Sequence, residues 1–390
     1  MPGVHRNVLL IAACAGIFVF GMVLALLGTV FGLPGMRERL GIDVAGQGDV
    51  FLWLYFGILV ASLAAGPTID RFGNKVVLVL SAAMVAAALA GFAFATSLAS
   101  AAVAALLMGA GGGGLNTATN ALVSDLYGDA RGTMLNILGI FFGFGGLCMP
   151  FLAASLAATF TIQQLLLGAA APALVAGVAF AALAFPPPRE VQGFSLVEAG
   201  RAVRQPGVLL MAVLLLFASG NEAAIGGWTT TYLAQSGTPA DVATWVLTGY
   251  WACMMAGRLL AARLLRWVTK ERLILVSGLG AAAGCLMLVA ADALAWRAAG
   301  VWIAGLCFAP IFPTTLAIAG DRYARFAGSV FSVLFGVALL GGMSFPWAIG
   351  QMAGPAGIRA GLLLPVIGSL LISVLLLALT RNTSAPAAKS

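Results

Sequence analysis

The chain has 390 residues, 62% hydrophobic and only 8% charged, with a net charge of +7. Soluble domains carry about a quarter charged residues, so no polar shell could cover a globular core of this size, and a bilayer is the expected solvent. The positive balance does not point to nucleic acid, because the basic residues stand in short loops between apolar stretches, where they set topology.

The first apolar stretch, Val8 to Phe31, is too long for the core of a signal peptide and lacks a clear cleavage site, so it is expected to remain as helix 1. Gly32-Leu33-Pro34-Gly35 breaks it. Further spans are expected at roughly 49–69, 76–96, 99–125, 132–157, 162–185, 207–234, 241–264, 272–291, 298–320, 327–351 and 357–380, each long enough to cross a ~30 Å hydrocarbon core. The widest gap runs from Pro186-Pro187-Pro188 to Pro206 and holds Arg189, Glu190, Glu198, Arg201 and Arg204. It reads as a cytoplasmic linker. The predicted organisation is therefore an N-terminal six-helix half at 1–185, a linker at 186–206, and a C-terminal six-helix half with a short tail at 207–390. With both termini cytoplasmic, all of the 20 Lys and Arg except Arg37, Arg39, Arg297 and Arg359 fall on the cytoplasmic side. An odd number of spans would destroy that asymmetry.

An internal repeat supports two halves. At an offset of 196 residues, Gly109 meets Gly305, Asp125 meets Asp321, Tyr127 meets Tyr323 and Gly132 meets Gly328. Gly145-Gly146 then meet Gly341-Gly342, and Pro150 meets Pro346. Apolar matches mean little in so biased a composition, but paired Asp, Tyr and Pro are harder to obtain by chance. Parallel repeats of spanning bundles place a substrate site between the halves near the midplane.

Polar residues inside spans are the candidate site. Glu222 is the carboxylate set deep within a span: Pro206 to Glu222 is ~24 Å of helix, which places it near the middle of helix 7. A charge there costs about 2.5–3.5 kcal/mol on insertion scales, so Glu222 should face a cavity or bind a proton, and it is the predicted ion-coupling residue. Asn221, Trp228 and Tyr232 form a stripe on the same helix, with Thr229 beside it. Asn116 and Asn120, four apart on helix 4, face together, and Asn136 follows on helix 5. Amides donate and accept, and aromatic faces suit the C–H side of a sugar ring. These residues, with Phe312 as the repeat counterpart of Asn116, are the predicted substrate contacts. For Trp228 and Tyr232, an interfacial belt is an equal alternative. The glycines Gly109 and Gly111 to Gly114 are expected to serve close helix packing.

Absences narrow the chemistry. The single histidine, His5, lies in the N-terminal tail, and the five cysteines sit at irregular spacing inside apolar segments, so no metal site or disulfide framework is expected. No cofactor is implied. One buried carboxyl without a neighbouring nucleophile or base supports little catalysis, so an enzyme is not expected. With no Arg or Lys expected in mid-span, nothing cationic would hold an anion.

Between helices 2 and 3 stands Gly66-Pro-Thr-Ile-Asp70-Arg71-Phe-Gly73-Asn-Lys75. This resembles the loop signature of the major facilitator superfamily, G-x-x-x-D-R-x-G-x-K, and the likeness extends over nearly the whole chain. Gly73 permits a tight turn, Asp70 can meet a helix N-terminus near Ala327-Gly328, and Arg71 or Lys75 can pair with Asp125, the four side chains forming a cytoplasmic latch. The segment Gly113 to Asn120, then Gly128, Arg131 to Asn136 and Phe144-Gly145, is similar to the fucose/proton symporter branch, as is Gly220 to Tyr232 on helix 7. That branch carries an acid on helix 1 and another on helix 4, where this chain has no acid and Asn116 respectively, so its proton site does not carry over. The resemblance implies the major facilitator fold, all-α with twelve transmembrane helices in two pseudo-symmetric halves, and a sugar-like substrate.

The expected function is secondary active transport of a small neutral solute such as a sugar or polyol, coupled to a proton in preference to sodium. A proton/lipophilic-cation antiporter or a lipid flippase of the same fold are the alternatives. The expected partners are the solute, the coupling ion and the bilayer of the inner membrane, with the chain a monomer.

Overall fold

In the computed structural model the described residues are 6–187, 205–323 and 327–384. Every regular element among them is helical: α1 (Arg6–Val30), α2 (Met36–Leu40), α3 (Val44–Ala93), α4 (Leu98–Tyr127), α5 (Arg131–Leu156), α6 (Ile162–Ala182), α7 (Pro206–Gln235), α8 (Ala240–Leu264), α9 (Lys270–Ala290), α10 (Leu294–Phe308), α11 (Ile311–Arg322), α12 (Ala327–Gly361) and α13 (Leu363–Ser384). Most of the predicted linker lies outside the described residues.

Among the described residues, ten helices are long and apolar enough to cross a membrane, with α10 and α11 together making one of them. Two more spans complete the twelve. The 50-residue α3 is two spans meeting at Gly73, whose φ of 81° and ψ of 164° interrupt the helix. This is the turn expected of that glycine, since a side chain is strained at such a φ. The other is α8, which carries Arg258 and Arg263 and is less apolar than its neighbours. A second break, at Gly357 (φ 76°), divides α12 from the last span.

The chain forms two compact units, residues 1–193 with 227–248, and residues 194–226 with 249–390. The first unit thus takes in the hairpin made by the end of α7 and the start of α8. Both cuts fall beside glycine, between Gly226 and Gly227 and between Thr248 and Gly249.

Glycine sets the helix spacing in each unit, and it does so in the same places. A Cβ on Gly109 would overlap the carbonyl oxygen of Leu54, and one on Gly305 would overlap that of Tyr250. Leu54 and Tyr250 are themselves one repeat apart. A Cβ on Gly145 would overlap the Phe18 carbonyl of α1, and one on Gly341 the Leu216 carbonyl of α7. The repeated glycines are thus repeated backbone approaches, the way spanning helices gain contact where lipid offers no hydrophobic drive. Gly111, Gly113 and Gly114 pack likewise against Ser81, Val85 and Ile58 of α3, and Gly112 against Phe20 of α1.

Candidate functional site

In the first unit Asn116 and Asn120 lie on α4. The Asn120 Nδ2 donates to the Asn116 side-chain oxygen at 3.1 Å and to the Asn116 backbone carbonyl at 2.7 Å. The i, i+4 spacing brings the two amides together, as helical geometry requires. Both are half-buried, whereas Asn136 on α5 is exposed and bonds to neither.

In the second unit Glu222 lies mid-way along α7 and is half-buried. Its backbone carbonyl accepts a hydrogen bond from the Tyr250 hydroxyl of α8 at 3.2 Å. Arg258 also stands on α8 in the same unit, eight residues beyond Tyr250, and its long side chain can carry the guanidinium well away from its own Cα.

Asn221 does not share the setting of Glu222. It is fully buried, and its Nδ2 donates to the Ser369 hydroxyl of α13 at 3.2 Å. The Ser369 hydroxyl in turn donates to the Pro365 carbonyl at 2.7 Å. Asn221 therefore ties α7 to α13, and the structure places it in helix packing rather than on an open surface. Phe312 on α11 is half-buried and stacks at 5.5 Å on Phe335.

The C-terminal part of α7, from Gly227 on, packs within the first unit. Trp228 and Thr229 are fully buried and Tyr232 nearly so. The Trp228 ring lies 5.9 Å from that of Phe51, and Gly227 leaves the space that the Phe51 ring fills. Gln47 Nε2 donates to the Thr231 hydroxyl at 3.0 Å, and the Thr230 hydroxyl donates to the Gly28 carbonyl. Trp245 at the start of α8 meets Phe151 edge-on at 5.5 Å. Neither Gln47 nor Phe51 was singled out from sequence, because a lone glutamine at a helix start carries no periodic signal. Replacing Gln47 with Leu should remove the hydrogen bond to Thr231 and loosen this hairpin. A cysteine placed at Thr229 in that background should react several-fold faster with an impermeant thiol reagent added outside the cell. Equal reaction rates with and without Gln47→Leu would remove the hydrogen bond from any role in closure.

At the opposite end of the first unit, the predicted pairing of Arg71 or Lys75 with Asp125 is not formed. Lys75 Nζ donates instead to the Leu183 carbonyl just beyond α6 at 2.9 Å, capping the negative end of that helix. Arg71 lies 5.1 Å from the Phe72 ring, Asp125 is exposed, and Asp70 is half-buried. The end of α12 expected to meet Asp70 belongs to the other unit. An ion pair of the expected kind occurs one repeat later, where Lys270 pairs with Asp321, the counterpart of Asp125. Arg322 approaches Glu271 at 3.7 Å beside it. Among the described residues no cluster of three His, Cys, Asp or Glu side chains could hold a metal.

Comparison with known proteins agrees with this architecture. A stretch of 128 residues, 33% of the chain, is 30% identical to the 4-hydroxybenzoate transporter PcaK of Acinetobacter baylyi, and it spans only 27% of that protein's length. The fold is similar to that of a nucleoside transporter at a TM-score of 0.79, with 13% identity over 96% of this chain and 99% of the other. A D-xylose-proton symporter gives 0.78, with 13% identity over 94% and 97%. A bacterial homologue of the human lysosomal transporter Spinster, inward-facing and unoccupied, gives 0.74, with 15% identity over 96% and 97%. At such identities the likeness is one of fold. The family model of the Major Facilitator Superfamily matches residues 13–346, and this chain belongs to that superfamily of membrane transporters.

Proposed function

We propose that the chain is a proton-coupled carrier of a small neutral polar solute, a sugar or polyol, working by alternating access in the inner membrane with both termini cytoplasmic. The observation that carries this reading is Glu222, a half-buried mid-span carboxyl on α7. Such a carboxyl can be ionised in one state and protonated in another, and a neutral solute leaves it free to do so. Asn116 and Asn120 supply the hydroxyl-binding amides, in keeping with the likeness to the fucose/proton symporter branch and with the names of the xylose and nucleoside carriers of similar fold. Arg258 itself favours one second reading, an organic acid, the kind of solute named for the partial relative that carries 4-hydroxybenzoate.

In this scheme the α7–α8 hairpin at 227–248 closes the outer side, while Asp70, Arg71, Lys75 and Asp125 act in the cytoplasmic loop when that side closes in turn. The test is flux into proteoliposomes under an imposed inward proton gradient, with a panel of labelled sugars and polyols beside 4-hydroxybenzoate. Accumulation of a neutral solute that collapses with a protonophore is the expected result. Accumulation of the aromatic acid alone would replace the first reading by the second, and no gradient-driven uptake of either would reject both.

A further inference from the structure

One end of the first unit holds a cavity of about 570 Å³ that the transport scheme does not use. It lies between the Leu33-Pro34-Gly35 turn and the α5–α6 connection, on the side of the unit where α1 ends and α6 begins. Leu33, Pro34, Ala157, Phe160, Ile162 and Leu165 form its apolar walls, with Thr159, Thr161 and Gln163 among them. Among the described residues, Arg39 is the charged residue of its lining and no carboxylate lines it.

Arg39 is held in place without a counter-charge. One terminal nitrogen donates to the Phe92 carbonyl at 3.2 Å and approaches the Met36 sulfur at 3.3 Å. Its Nε is buried with no acceptor. Burial also draws the guanidinium below the usual arginine range. Arg39 as a whole is half-buried, and with one nitrogen committed to Phe92 the guanidinium keeps donor capacity that an oxyanion can take up. The start of α6 borders the same cavity. Thr161 caps the Gln164 amide, so the Ile162 and Gln163 amides at the positive end of the helix are not used by that cap.

We propose that this cavity is an oxyanion-binding site at the end of the first unit, with Arg39 as its cationic donor and the apolar walls receiving a short hydrocarbon portion of the ligand. A phosphate or carboxylate satisfies the guanidinium through charge-assisted hydrogen bonds, and arginine suits such oxyanions in shape. The ligand is either the headgroup of an anionic phospholipid or a free oxyanion. The site is separate from Glu222 and Asn116, so its occupancy does not depend on which solute is carried.

The experiment is titration of the purified full chain, in neutral detergent, with dihexanoyl-phosphatidylglycerol, dihexanoyl-phosphatidylcholine, inorganic phosphate and benzoate, followed by melting temperature and calorimetry. An increase in melting temperature with the phosphatidylglycerol but not the phosphatidylcholine is expected if the source is lipid. A response to phosphate or benzoate as well identifies a free oxyanion. Binding should weaken about tenfold or more in Arg39→Gln and persist in Arg37→Gln, since Arg37 is the neighbouring cation that does not line the cavity. Arg39→Gln also removes the bond to Phe92, so Ala158→Leu provides a second test. Ala158 is an exposed lining residue, and a larger side chain there should block binding while leaving the unliganded melting temperature unchanged. Equal responses to the anionic and zwitterionic lipids with none to phosphate or benzoate, equal losses in Arg37→Gln and Arg39→Gln, or full binding in Ala158→Leu would each overturn the proposal.

Discussion

Replacing Glu222 with Gln should abolish uphill accumulation of solute in proteoliposomes while leaving counterflow exchange largely intact. Glutamine keeps the shape and one acceptor of the side chain but cannot take up or release a proton. Exchange of labelled for unlabelled solute needs no net proton movement, so it survives, whereas accumulation against a gradient requires the proton to cross with the solute. Glu222→Asp keeps a titratable group one methylene shorter and should retain part of the accumulation. The backbone carbonyl of Glu222, which holds the Tyr250 hydroxyl, is unchanged in both variants, so the local packing of α7 on α8 is not the variable. Normal accumulation by Glu222→Gln would place coupling elsewhere or remove it. Loss of both accumulation and exchange would point to solute binding instead.

The second large effect is expected at the glycines that bring backbones together. Gly145→Ala and Gly341→Ala should each prevent recovery of a monodisperse protein, or lower its melting temperature by many degrees. In each case the added Cβ would occupy the place of a carbonyl oxygen, of Phe18 and of Leu216 respectively. A backbone carbonyl cannot rotate away as a side chain can, so the helices must separate. Overpacking a tight interior costs about 1–3 kcal/mol even where side chains can adjust. Gly168→Ala and Gly336→Ala are the controls, because nothing lies near a Cβ at either position. These should be neutral or slightly stabilising, as alanine is the better helix former. Size-exclusion profiles and melting curves of the four variants side by side decide the matter. Wild-type behaviour of Gly145→Ala would show that α1 and α5 can part without cost.

The spans, their number and the repeat were legible in the chain itself. A stretch of apolar residues long enough to cross a bilayer must be helical, since lipid offers backbone groups no other partner. Gly73 and Pro-Gly breaks mark where such stretches end, and the offset that aligns Asp125 with Asp321 also aligns Gly109 with Gly305. The structure gives that alignment physical content, because Leu54 and Tyr250, equally spaced, are the residues those two glycines touch. The pairing of Asn116 with Asn120 was likewise fixed by the helical period alone.

Other features depended on the azimuth of each helix and on which side chains reach which neighbours, and periodicity in so uniformly apolar a chain does not encode these. Asn221 and Glu222 are adjacent in sequence, yet one is fully buried and tied to Ser369 on α13 while the other is half-buried. A turn of about 100° per residue separates their directions. Lys75 shows the same limit in another form, since a long side chain carries its charge well away from its own Cα and its partner follows from the fold. Sequence determined how many helices cross the membrane, where they break and how the halves correspond, because those follow from the solvent and the backbone. Only the tertiary structure decided which polar groups meet, because that is set by helix rotation and close packing at glycine, which the order of residues constrains only weakly.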